Sequence, residues 1–505
     1  MSGRAAAERI GRAGRSHEWP LVLLLAVIGT LTLARIAWLA LDAYPLHGDE
    51  AQYWVWAKHP AFGYFSKPPL VAWLIALSTG AFGDGTLAVR LASPVAHAGT
   101  ALLVFLVGRR LFGSEVGVWA AIAYATLPAV AVSAGIISTD PPLLLFWALA
   151  LYAFVRAIED EASPWWWPAT GAAIGFAMLA KYTAIAFPIS MLLYLALAPA
   201  HRHRLATAGP WIALAVALIV LAPNLWWNAQ AGFVSVRHLG DNAALGGPLL
   251  HPLNLLEFLG SQAGVIGPLL LGAVAVLLWR WRDTTRDSRQ TLLLAFTLPL
   301  LGAISLQAVL SQANANWAAP AWIGGTLAAV AWLLSGEHRR WLAWSTGVNL
   351  ALGALVLALA LAHAGRPSTL PGWSDPFRKQ RGGEPLGLAV AEALAAHQGA
   401  WLLMDARKLI AQTLYYAEVP LARAVAWNPD GVPEDHFELV TRFPDDPGAS
   451  FVLATRRADP ADVLARFADS QPLGEARVAT HTDGEDRLHL FRLEGFLGYG
   501  DSRAP

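Results

Sequence analysis

Residues 68–82 read PPLVAWLIALSTGAF, an apolar run of about 15 residues, whereas crossing roughly 30 Å of hydrocarbon takes about 20. Whether this run crosses sets the side of every later loop, so its reading decides the fold. Longer apolar runs fall at 20–41, 86–108, 115–136, 140–156, 165–181, 183–199, 208–226, 263–281, 290–310, 316–334 and 341–362, eleven in all. If 68–82 stays out of the bilayer, the clusters Arg109-Arg110, His201 to Arg204, Arg280 to Arg289 and Arg339-Arg340 share the side of Arg4, Arg9, Arg12 and Arg15. If it crosses, all of them land opposite. The preference of basic loops for the cytoplasm selects the first arrangement and makes 68–82 an interfacial or re-entrant helix.

The composition agrees with a membrane chain. Of 505 residues, 56% are hydrophobic and 14% charged, with a mean hydropathy of +0.44, against about 25% charge in soluble domains. The 36 basic and 36 acidic residues cancel, which gives no electrostatic footprint for nucleic acid. No cysteine is present, so disulfides, thiolate chemistry and cysteine-held metals are excluded. The first apolar run exceeds the roughly 7–15 residues of a secretory h-region and lacks a small-residue cleavage site. It is read as an uncleaved first span with its N-terminus inside. After Ala362 the chain turns polar, and WLLMD (401–405), FVLATR (451–456), ARVATHT (476–482) and RLHLFRLEGF (487–496) read as strands, with a helix over 406–417. The expected organisation is a cytoplasmic tail (1–19), a membrane domain (20–364) and a soluble extracytoplasmic α/β domain (365–505).

In this topology the polar residues that stand out face the outer side. The stretch GDEAQYWVWAKHPAFGYFSKPPL (48–70) holds Asp49 and Glu50. Asp49 reads as a helix N-cap with Gln52 closing a capping box, or as a carboxylate aimed into a cavity. Tyr53, Trp54 and Trp56 read as an interfacial aromatic belt. Lys67 is fixed in direction by the prolines after it. Asp140 precedes Pro141-Pro142, a common helix entry. Lys181 stands alone between apolar runs, where a charge at membrane depth is functional by default. Arg35 and Arg90 are expected to snorkel, and His97 to bond across helices.

These stretches, with YFSKPPLVAWL (64–74), GDGTLAVRLASPVAHAGTALLVFLVGRRLFG (83–113), STDPPLLLFWALALY (138–152) and LAKYTA (179–184), resemble the glycosyltransferase family 39 group. That group includes protein O-mannosyltransferases and bacterial lipid A aminoarabinose transferases, and the likeness covers roughly 20–335. It implies an all-α polytopic membrane bundle of the GT-C type with about eleven spans plus interfacial helices, followed by the soluble domain. It also implies a polyprenyl-phosphate-sugar donor and an envelope glycolipid, glycan or protein acceptor, with transfer by inversion at the outer face of the inner membrane.

By the same resemblance, Asp49, Glu50 and Asp140 are catalytic, Asp49 as base or acceptor-orienting group. Lys67, Lys181, Arg237 and His238 hold the donor phosphate. Tyr64, Asn314, Asn316 and Trp317 are weaker expected contacts with donor or acceptor. The aminoarabinose transferases carry a metal-binding Glu immediately before the lysine; here that position is Ser66. No metal, no other cofactor and no aminoarabinose donor are expected. A secondary transporter, with ionisable groups at the midplane and internal repeats, and a non-catalytic envelope subunit are the competing readings.

Overall fold

The computed structural model describes residues 3–160, 163–243, 250–336, 338–375 and 377–499. Met1, Ser2 and positions 244–249 of the long loop expected outside lie beyond the described residues. The chain forms two compact units: Met1–Ala40 with Lys67–Val71 and Arg90–Val356, and Leu41–Ser66 with Ala72–Val89 and Leu357–Pro505.

The first unit is helical. Among the described residues, six helices are long and apolar enough to cross a membrane: Leu21–Ala40, Thr86–Phe112, Asp140–Glu159, Ala208–Gln230, Ser288–Leu310 and Arg339–Ala362. Each coincides with an expected span. The expected span 263–281 falls on a pair of helices, Pro252–Ile266 and Pro268–Trp279, bent by 118°. Pro268 cannot donate to the preceding turn, and Gly267 at φ 89° takes the left-handed backbone between them. The remaining expected spans are shorter helices or are broken: 115–136 is interrupted at Leu127-Pro128, while 165–181 and 183–199 form Trp166–Ala180 and, after the extended Lys181, a 3₁₀ turn leading into Ala186–Leu197. Leu70–Phe82 has 13 residues, roughly 20 Å at about 1.5 Å per residue, short of the hydrocarbon thickness.

Helices of this unit meet closely where side chains vanish. A Cβ on Gly108 would stand 2.9 Å from the Gly117 Cα, and one on Gly117 would stand 2.7 Å from the Phe105 oxygen, the small-residue contact that membrane helices use. Leu218, Ile219, Trp226 and Trp279 lie exposed on the spans, an apolar exterior suited to lipid.

The second unit carries the sheet. Its strands are β1 (Trp401–Met404), β2 (Ala424–Ala426), β3 (Ser450–Thr455), β4 (Phe467–His481) and β5 (Gly484–Phe496), in the order β2-β1-β3-β5-β4. β1 runs parallel to β2 and β3, pairing Leu403 with Val425 and with Leu453. β5 returns antiparallel to β3 and to β4. Leu403, Val425, Phe451, Leu453, Phe467 and Leu493 form the buried core. In β1 and β3 they alternate with Leu402, Met404, Val452 and Ala454, which are buried on the other face of the sheet, following the two-residue period of a strand.

The helix Gly48–Lys58 belongs to this second unit and packs on the helix Arg407–Tyr416. A Cβ at Gly48 would stand 2.6 Å from the Lys408 Cβ, so only glycine allows that approach. The expected aromatic belt is therefore corrected. Trp56 is 0% exposed and Tyr53 7%, and Trp56 stacks on Tyr64 at 4.5 Å. These rings are core residues of the second unit.

Candidate functional site

The helix Gly48–Lys58 starts two residues earlier than the capping pattern suggests. His47 is its N-cap: His47 Nδ1 accepts the Asp49 N–H at 3.1 Å, and the Glu50 carboxylate accepts the His47 N–H at 2.9 Å. The capping box is thus His47 with Glu50, where Asp49 with Gln52 was expected. An Nδ1 that accepts from backbone is unprotonated, in keeping with burial that lowers the His47 pKa.

Freed from capping, Asp49 turns to another partner. Its Oδ1 accepts from Arg407 Nη2 at 2.9 Å, and Arg407 Nη1 also donates to the Gln52 side chain. Burial pushes the Asp49 carboxyl up, but Arg407, His47 and Lys408 outweigh it and hold the pKa below the usual value. An ionised, oriented and half-exposed carboxylate results.

Tyr64, by contrast, is enclosed. Its hydroxyl donates to the Trp56 and His59 carbonyls and accepts from the Ala61 N–H, and burial pushes its pKa up to about 12.

The first unit holds a second polar centre. Lys181 Nζ lies 2.7 Å from Asp140 Oδ1, and Asn316 Nδ2 lies 2.6 Å from Asp140 Oδ2. Asp140 opens the helix Asp140–Glu159, where a carboxylate complements the helix dipole. Lys181 sits in extended backbone (φ −160°, ψ 131°) between a helix and a 3₁₀ turn, so the break in the apolar run presents the ammonium. Nearby in sequence, the Tyr182 hydroxyl donates to Asn224 Oδ1 at 2.9 Å and accepts from Asn228 Nδ2 at 3.0 Å. A cavity of about 70 Å³ beside Asp140 and Asn316 is also lined by His97, Tyr124 and Trp322.

The other residues singled out are placed as follows. Lys67 is half-buried in the bend before Pro68. Arg237 donates to the Gly232 carbonyl on an exposed turn, and His238, half-buried, lies on the same helix, Val234–Ala243. Asn314 is the exposed N-cap of the 3₁₀ turn Ala315–Ala318, which contains Asn316 and Trp317. His97 bonds the Tyr124 hydroxyl at 2.9 Å and Ser133 Oγ at 3.0 Å, the helix-to-helix bridge expected of it.

The snorkelling of two arginines is corrected. Arg35 donates to the Ala125 carbonyl in the last turn of the helix Ser114–Thr126, where a cation meets the negative end of the helix dipole. Arg90 is 3% exposed.

A bound metal needs several donor side chains that converge. Among the described residues no three His, Cys, Asp or Glu converge, Glu50 is held by the His47 amide, and Ser66 occupies the expected acidic position.

Known proteins agree with this architecture. The sequence model of the dolichyl-phosphate-mannose-protein mannosyltransferase family matches residues 66–227. A lipid A galacturonosyltransferase of Rhizobium johnstonii is 35% identical over 428 residues, covering 84% of this chain and 88% of the relative. An undecaprenyl phosphate-α-4-amino-4-deoxy-L-arabinose arabinosyl transferase of Pseudomonas savastanoi is 28% identical, covering 49% of this chain and 48% of that protein. The crystal structure of ArnT from Cupriavidus metallidurans bound to undecaprenyl phosphate superposes with a TM-score of 0.66 at 16% identity, covering 94% of this chain and 98% of that one.

Fold and relatives together define an integral, multi-pass inner-membrane glycosyltransferase of the GT-C architecture, which sets the transporter reading aside. Within that class the chain belongs to the glycosyltransferase family 39-like group.

Sequence reasoning missed Arg407 and His47. Arg407 stands three residues past the end of the parallel strand β1, and the carboxyl ends of such strands are where open α/β sheets place ligands. That position was the available signal.

Proposed function

We propose that this enzyme moves a sugar from a polyprenyl-phosphate-sugar donor to an envelope glycolipid, at the outer face of the inner membrane and with inversion at the anomeric carbon. The observation that carries the reading is the ionised Asp49 held by Arg407 in the first loop, in a chain that is 35% similar by identity to a lipid A galacturonosyltransferase along most of its length.

The acceptor hydroxyl attacks the anomeric carbon, its proton passes to the Asp49 carboxylate, and the bond from carbon to phosphate oxygen breaks. The polyprenyl phosphate leaves with the electron pair. Lys67 and Lys181 are assigned to the charge that develops on that phosphate, where a fixed cation in a water-poor site acts most strongly. Asp140 and Asn316 orient Lys181. Arg237 and His238 are assigned to the same phosphate, and Asn314 and Trp317 to donor or acceptor contacts. The N-terminus is assigned to the cytoplasm and residues 365–505 to the outer side.

The test is mass spectrometry of lipid A, glycans and glycoproteins from a deletion strain and its complemented control. Loss of one sugar from the lipid A fraction, restored by the wild-type chain and not by Asp49→Asn, is expected. Unchanged lipid A with loss of a protein-linked sugar would overturn the glycolipid acceptor.

A further inference from the structure

Within the second unit lies a cavity of about 640 Å³. Its wall contains Arg378, Lys379, Arg381, Arg407, Lys408 and Arg456 against a single acid, Asp486, which is paired with Arg456 at 2.8 Å. Arg381 and Arg407 also have carboxylate partners, Asp375 and Asp49, which leaves Arg378, Lys379 and Lys408 with no ion pair among the described residues; these three repel one another in one concavity, and a bound anion relieves that cost.

The sheet topology points to the same place. In the order β2-β1-β3, the chain leaves β1 toward β2 on one side and returns to β3 on the other. The crevice at such a switch point, beyond the carboxyl ends of the parallel strands, is where open α/β sheets bind ligands. Ala406, Arg407 and Lys408 follow β1 and Arg456 follows β3, and all of them line the cavity.

Two further features suit an oxyanion. The helix Arg407–Tyr416 has no side-chain cap at its N-terminus, where Ala406 stands, so its first N–H groups and the positive end of its dipole are offered to the cavity. Arg381, with its side chain 7% exposed, is anchored by Asp375 and the His363 and Arg366 carbonyls. Its buried Nη2 has no hydrogen-bond partner among the described residues.

We propose that this cavity binds a phosphate monoester on the headgroup of the acceptor glycolipid and so presents the acceptor hydroxyl to Asp49. Gly48 and Arg407 both line the cavity, and Arg407 holds Asp49, so a phosphate anchored there shares a wall residue with the carboxylate. The polyprenyl donor does not fit this wall, whose apolar side chains are Ala406 and Leu409. This inference rests on the glycolipid reading above.

The experiment measures binding to the purified full chain in detergent micelles, using bisphosphorylated lipid A, phosphatase-treated lipid A, inorganic phosphate and undecaprenyl phosphate as probes. The variant is Arg378→Ser with Lys379→Ser, both exposed and with no ion pair among the described residues. The wild type is expected to prefer phosphorylated over dephosphorylated lipid A by at least about tenfold, in line with charge-assisted contacts to phosphate. The variant loses that preference and binds undecaprenyl phosphate as the wild type does. Equal binding of both lipid A forms by the wild type, or a preference unchanged in the variant, overturns the proposal. So does inorganic phosphate that binds tightly without displacing lipid A, which makes this a site for free phosphate. Failure of the wild type to bind undecaprenyl phosphate strikes the transferase reading itself, and is distinct from either result.

Discussion

Arg407 Nη2 donates to Asp49 Oδ1 across 2.9 Å, joining residues 358 positions apart in the chain. The carboxylate offered for catalysis is thus set by a guanidinium from the opposite end of the sequence. Because His47 and Glu50 cap the helix, Asp49 is free of any structural duty there.

Asp49→Asn tests this separation. The cap and the helix are untouched, so the variant folds with a melting temperature near that of the wild type and binds undecaprenyl phosphate normally. Transfer falls by about 10²-fold or more, the loss typical of a missing general base. Normal transfer by Asp49→Asn would remove Asp49 from the mechanism.

Arg407→Ala acts through the carboxylate. Burial raises the Asp49 pKa and Arg407 is the largest influence opposing it. Without Arg407 the pKa rises, so the acid limb of the pH profile for transfer moves to higher pH, and Arg407→Lys restores part of the shift. In the wild type the depressed pKa stabilises the fold above the unfolded carboxylate range, and that contribution is lost only as the pH falls through the folded value. The pair is half-exposed, so the direct cost in stability at neutral pH is about 1 kcal/mol or less. An unmoved acid limb would show that Arg407 does not govern Asp49.

Lys181→Met leaves Asp140 without its ammonium in a site where both side chains are largely buried, at 14% and 11% exposure. Breaking such a pair from one side costs about 3–5 kcal/mol, whereas replacing both partners is far milder. The single variant is expected to melt well below the wild type in detergent, and Asp140→Asn with Lys181→Met to recover most of the loss while remaining inactive. A double variant that melts below both singles would mean the two residues are not coupled.

Much of the membrane unit was legible because the period and length of apolar runs record burial in lipid directly. Six expected spans are single helices. The lone charges at 140 and 181 also announced themselves, since each is costly in an apolar setting. Their pairing was not legible, because 41 residues separate them and 176 separate Asp140 from Asn316. The cap was misread because histidine is outside the usual N-cap set, while Asp49 and Gln52 imitate the right spacing. The aromatic residues of the same loop imitate an interface belt, and only packing against the C-terminal residues shows Trp56 to be core. The three-residue strand β2 is too short for any periodicity to reveal.

Glu438 gives the second unit a pH dependence of the opposite sign to Asp49. Burial, reinforced by Asp435 and Glu434, pushes its carboxyl from 4.5 up to about 7, while its Oε2 accepts the Glu434 N–H at 2.7 Å. A raised pKa in the folded state means that stability is greatest below the unfolded value and falls as the pH rises through the folded one. Glu438→Gln keeps the acceptor oxygen and removes the titration. Its melting temperature is expected to match the wild type near pH 4.5 and exceed it above about pH 7. Parallel curves for the two proteins across this range would refute the shift.

The proposed topology turns on the short run that opened the sequence, and reporters can test it. Leu70–Phe82 is one helix of 13 residues, roughly 20 Å long at about 1.5 Å per residue, against the roughly 30 Å of hydrocarbon to be crossed. If it stays at the outer interface, Arg109-Arg110 returns to the cytoplasm beside the N-terminus, and the odd number of crossings expected from the sequence leaves residues 365–505 outside. A phosphatase active only outside the cytoplasm is then silent when fused after Arg110 and active when fused after Ala364. The same assignment puts Asp49, Arg407 and the basic cavity on the side where envelope glycolipids are exposed. Activity after Arg110 would mean that the helix spans, and every later loop would change sides. Silence after Ala364 would place the second unit in the cytoplasm, away from any outer-face acceptor, and the assigned roles of Asp49 and the cavity would fall together.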